Sequence, residues 1–81
     1  MQARVYVTLK RGVLDPQGKA IARSLQSLGF DEVEDARMGK FIEITLKDLP
    51  ADKARKQLEE MCTQLLANLV IEDYRIELVD A

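Results

Sequence analysis

The chain has 81 residues, 47% of them hydrophobic, which is one small domain spanning 1–81 with too little interior for a deep pocket of its own. Twelve basic against 14 acidic side chains give a net charge of −2, which removes the broad electrostatic footprint of a nucleic-acid or anionic-membrane binder. There is no histidine, so neither a Ser/His/Asp nor a Cys/His nucleophile pair can form, and zinc lacks its commonest nitrogen ligand.

Met1-Gln2-Ala3-Arg4 leads straight into an alternating pattern with no apolar leader ahead of it. Val5, Val7 and Leu9 alternate with Arg4, Tyr6, Thr8 and Lys10, the period of a strand with one face on a core. Gly12 breaks that pattern. Asp15-Pro16 then reads as a helix start, because Asp accepts from free backbone N–H groups and Pro at the first helical position gives up no needed donor. Ile21, Leu25 and Leu28, with Ala22 beside them, make a narrow apolar stripe, and Gly29 ends the helix.

Val33 to Arg37 is a weak strand candidate, since Glu32, Glu34 and Asp35 are poor strand residues. Phe41 to Leu46 alternates cleanly, with Ile42, Ile44 and Leu46 on one face. The simplest reading is a hairpin across Gly39; one long bent strand has the same signature. Leu49-Pro50 opens a second helix with a wider stripe, Ala54, Leu58, Met61 and Leu65 beside Cys62 and Leu66, and Asn68 is its stop. Tyr74, Ile76 and Leu78 give a last strand. The order β-α-β-β-α-β implies an α+β, ferredoxin-like sandwich, an antiparallel sheet with both helices on one face.

Candidate sites are few. Cys62 reads as a small buried hydrophobe, and a lone cysteine fits a reducing, cytoplasmic setting. Tyr6 and Phe41 point away from the helices, as base-stacking aromatics do on an RNA-binding sheet, but the basic interleaving is thin and contact with another protein, most simply a second copy, is the better use. Arg37-Met38-Gly39-Lys40 puts two cations on a short turn that either holds a phosphate or carboxylate or is simply solvated; Glu72-Asp73 beside Arg75 has the same two readings. Leu69, Val70 and Ile71 either plug the end of the core or form a contact surface. No GxGxxG, GxxxxGK[ST] or CxxC pattern is present.

Two stretches read together carry a resemblance: Gly12-Val13-Leu14-Asp15-Pro16-Gln17-Gly18, and Met61 to Asn68 followed by Val70-Ile71-Glu72-Asp73-Tyr74, with Leu28-Gly29-Phe30 and Arg37 to Lys40 between them. Over essentially its whole length the chain resembles PurS, the small subunit of phosphoribosylformylglycinamidine synthase, an ATP-dependent carbon–nitrogen ligase of purine biosynthesis. The family pattern has a proline where this chain has Leu69.

The resemblance implies a subunit with no active site and no cofactor of its own, ATP and magnesium being used by the assembled complex. It implies a dimer, or a dimer of dimers, that bridges the glutaminase subunit PurQ and the large synthetase subunit PurL so that ammonia passes between them. Tyr6, Asp15, Pro16, Gln17, Gly18, Arg37, Gly39, Lys40, Phe41, Asn68, Leu69, Glu72 and Asp73 are then the expected partner contacts. At Gly18, the third helical residue, a glycine kept where alanine is the better helix former predicts a close approach, expected from a partner. The rival from another class is a dimeric regulatory module of ferredoxin-like type that binds a small ligand.

Overall fold

A computed structural model describes residues 1–79. The chain runs β1 (Gln2–Leu9), α1 (Pro16–Ser27), β2 (Gly39–Thr45), α2 (Ala51–Met61) and β3 (Glu72–Val79), with a π-helical turn at Cys62–Leu66 extending α2. The sheet has the order β2-β1-β3 and both pairings are antiparallel. The α+β class and the antiparallel sheet are as expected, with three strands among the described residues in place of four. Among the described residues, no helix is long and apolar enough to cross a membrane.

The alternation in β1 sets the two faces. Ala3, Val5 and Val7 point to one side and are completely or almost completely buried, because their cross-strand partners include Ile44, Ile42 and Ile76 and because Ala54, Leu58 and Cys62 of the α2 side are buried with them. Fully burying a side chain such as Leu58 or Val5 contributes about 1.5–3 kcal/mol. The wider stripe of the second helix is therefore the one that closes the core. Cys62 sits in it, and burial, then the Glu59 carboxylate, pushes its thiol pKa up, as expected of an inert structural cysteine.

Val33–Arg37 differs from its expectation. It carries no ladder and leads without a turn into β2, and Gly39, whose φ is not positive, opens the strand instead of turning a hairpin. Gly39 is needed for a different reason: a Cβ there would lie 2.6 Å from the Val7 carbonyl oxygen and 3.0 Å from Thr8 Cγ2. The acidic residues of the segment have no strand to face. Instead the segment lies along α1, where Gln26 Nε2 donates to the Val33 carbonyl at 2.8 Å and the Met38 N–H donates to Asp15 Oδ2 at 2.8 Å.

The unit of α1 and residues 33–38 gives the molecule its shape. The two buried residues of α1 are Gly18 and Ala22, and no residue of α1 belongs to the buried cluster around Val5 and Val7. The radius of gyration is 16.0 Å, against about 12 Å for a compact chain of this length. Part of the apolar stripe of α1 remains in solvent: Ile21 is 39% exposed, and just beyond the helix Leu28 is 74% and Phe30 55% exposed, whereas Leu25 is half-buried and Ala22 buried.

Candidate functional site

The expected contact residues fall into two groups. All but Tyr6 and Phe41 gather at one end of the sheet, where Leu9 ends β1, Gly39 begins β2 and Glu72 begins β3. There, Thr8 pairs with both Gly39 and Asp73, so residues distant in sequence share one edge.

Asp15 organises the start of α1. Its Oδ1 accepts the Gly18 N–H at 2.9 Å as a helix cap, and its Oδ2 accepts the Met38 N–H, so one carboxylate ties the helix to the strand that follows. These bonds, that to Met38 foremost, hold its carboxyl below the ordinary value of 3.8. A carboxylate with a lowered folded pKa contributes stability that is complete above the unfolded pKa and is lost as pH falls through the folded one. Thermal melts should therefore show Asp15→Asn below the wild type at neutral pH, with the gap closing as pH drops below about 4.

Pro16 is the first residue of α1, as its missing donor allows. Gly18 is buried, and a Cβ there would run into the carbonyl oxygen of Ala36 and lie 2.5 Å from Asp15 Oδ2 and 3.0 Å from Arg37 Cα. The close approach expected at Gly18 exists, but the chain's own segment makes it, not a partner. Gln17 lines a cavity of about 340 Å³ with Val7, Leu9, Met38, Lys40 and Glu72.

On the β3 side, Lys40 Nζ lies 3.8 Å from Glu72 Oε2 and donates to the Leu66 carbonyl at 3.5 Å. Glu72 Oε1 accepts the Asn68 N–H at 2.7 Å, and Lys10 pairs with Asp73 at 3.4 Å. These charges are paired within the chain.

Asn68 closes a tight turn: its carbonyl accepts from Ile71 and Glu72, and its Oδ1 accepts from Val70 at 3.1 Å. The turn stands out in solvent, with Val70 83% exposed and Leu65 nearby equally so, which makes it a surface and not a plug. Leu69 occupies the second position of this turn, its N–H takes no part in the network, and its side chain is 45% exposed. Proline suits that position. Leu69→Pro is expected to raise stability by up to about 1 kcal/mol through the unfolded chain, read as an increased melting temperature.

Tyr6 and Phe41 lie on the face away from α2, where they are cross-strand partners with ring centroids 5.2 Å apart and Arg75 sits 4.1 Å over the Tyr6 ring. Around them Gln2 donates to Glu43 at 2.8 Å and Arg4 pairs with Glu77 at 3.2 Å. The face is a mixed ladder with its cation already stacked. The larger uncovered apolar surface is on α1 and the Asn68 turn.

Sequence reasoning does not single out Lys10, Arg11 or Lys19, although all three border one cleft with Asp15 and Arg37. Cations flanking a glycine turn are too common for sequence to mark them.

A family model for PurS, described as phosphoribosylformylglycinamidine (FGAM) synthase, matches residues 2–80. The chain belongs to the PurS family. A phosphoribosylformylglycinamidine synthase subunit PurS from Synechocystis is 52% identical, over 93% of this chain and 75% of its own length. The PurS subunit of Bacillus subtilis is 49% identical over 94% of this chain and 89% of its own. A crystal structure of PurS from Methanocaldococcus jannaschii, named as one of the subunits of formylglycinamide ribonucleotide amidotransferase in the purine biosynthetic pathway, superimposes with a TM-score of 0.84 at 43% identity, covering 94% of this chain and 92% of that one. The PurS resemblance carried by the Gly12–Gly18 block thus holds across the full fold.

Proposed function

We propose that this chain acts in purine biosynthesis as a subunit of FGAM synthase, coupling a glutaminase subunit (PurQ) to a synthetase subunit (PurL) so that ammonia released from glutamine reaches formylglycinamide ribonucleotide. Membership of the PurS family is the observation that carries this reading. The sequence agrees with a role outside the chemistry: without histidine, a general base near neutral pH needs a carboxylate or lysine with a strongly displaced pKa. The displaced carboxyl described above, Asp15, is shifted away from neutrality and is spent on two backbone N–H groups. ATP and magnesium then belong to the partner subunits, in a cytoplasmic complex.

The reading includes self-association. Ile21, Leu28 and Phe30 form an apolar strip on an element outside the chain's own core, and a second copy presents the same strip under two-fold symmetry. Light scattering on a sizing column at micromolar concentration should return the mass of a dimer or a dimer of dimers, whereas a clean monomer contradicts this part. For the assembly itself, the purified chain is mixed with purified PurL and PurQ. Co-elution of all three supports the proposal, and persistent separation under turnover conditions opposes it.

A further inference from the structure

We propose that the open cleft between the turn after β1 and the segment before β2 binds a phosphate group. The cleft holds about 300 Å³ and draws its cations from separate parts of the chain: Lys10 and Arg11 from the turn, Lys19 from α1 and Arg37 from the segment before β2. Lys10 is fastened to Asp73. Among the described residues, no carboxylate lies within 4.0 Å of the charged nitrogens of Arg11, Lys19 or Arg37.

The two carboxylates that line the cleft are already engaged. Asp15 accepts backbone N–H groups on both oxygens, and Asp35 Oδ1 accepts the Ala36 N–H at 2.9 Å. Because Asp15 caps α1, the helix terminus itself is not free for an anion, and the side chains must do the binding. With Lys10 held by Asp73, the three remaining cations against two carboxylates leave the lining positive by about one charge in a chain whose net charge is −2.

A phosphomonoester offers three acceptor oxygens, enough to engage Arg11, Lys19 and Arg37 together, where a carboxylate offers two. The planar forks of Arg11 and Arg37 suit bidentate contact with its oxygens. Leu14, 68% exposed on the cleft wall, offers apolar surface to whatever the phosphate carries. This site goes beyond the coupling role proposed above, and either stands if the other fails.

Backbone amide NMR on the full chain tests it, with ribose 5-phosphate, inorganic phosphate and acetate titrated separately at matched ionic strength. Both phosphates should give saturable shifts at residues 11–14, 19 and 36–38, and acetate should not. Tighter binding of the sugar phosphate assigns the site to an ester, and equal binding assigns it to free phosphate. Absence of saturation, or equal response to acetate, overturns the proposal. The Arg11→Gln/Arg37→Gln double variant should bind roughly tenfold more weakly at an unchanged melting temperature. Lys19→Gln, on an exposed position of α1, should weaken binding in the same direction, so the inference remains testable if the double variant fails to fold.

Discussion

Gly18→Ala is expected to destabilise the fold by about 1–3 kcal/mol, the usual cost of forcing an extra methyl into a packed site. In a chain of this size each kilocalorie lowers the melting temperature by about 4–8 °C, so the loss is easily read. Helix propensity alone gives the opposite sign, since alanine improves an interior helical position by about 0.4–1 kcal/mol. The geometry decides between them: the added Cβ meets a backbone carbonyl, that of Ala36, and a backbone carbon, that of Arg37, and neither can swing aside as a flexible side chain does. The same change should raise hydrogen exchange at residues 33–38, which the helix holds in place, while Gln17→Ala, exposed one residue earlier, should melt within about 0.5 kcal/mol of the wild type. A Gly18→Ala protein as stable as the wild type shows that α1 does not press on the segment as described.

The contrast between the two apolar stripes explains what was legible in the sequence. Both helices are amphipathic, and periodicity found both, together with Asp15 as a cap and the face assignments of Val5, Ile42 and Ile76. Periodicity cannot say what a stripe packs against. Ala54 and Leu58 are buried in the core, whereas Ile21 and Leu28 of the first stripe are left in solvent and α1 meets residues 33–38 through Gly18. The Gly39 hairpin failed for a related reason: an alternating run interrupted by a glycine fits a turn and a straight entry equally, and only the approach of Val7 shows which one the glycine serves. The family was legible through the Gly12–Gly18 block and the Met61–Tyr74 stretch read together. Chemistry read from single residues did not reach the site, because Asp15, Lys40 and Glu72 are tied up locally, and that becomes visible only when distant segments are brought together.

An elongated chain with its first helix outside its own core fits a subunit that is completed by others. If the chain couples two sites without doing chemistry, its removal should abolish most synthesis driven by glutamine and leave synthesis driven by free ammonia largely intact, because ammonia from solution needs no path between subunits. The decisive measurement is therefore FGAM formation by purified PurL and PurQ, with and without this chain, with each nitrogen source in turn. The account predicts a large loss with glutamine and a small one with ammonia. Equal losses with both would show that the chain shapes the synthetase site itself, and no loss with either would remove it from the reaction altogether.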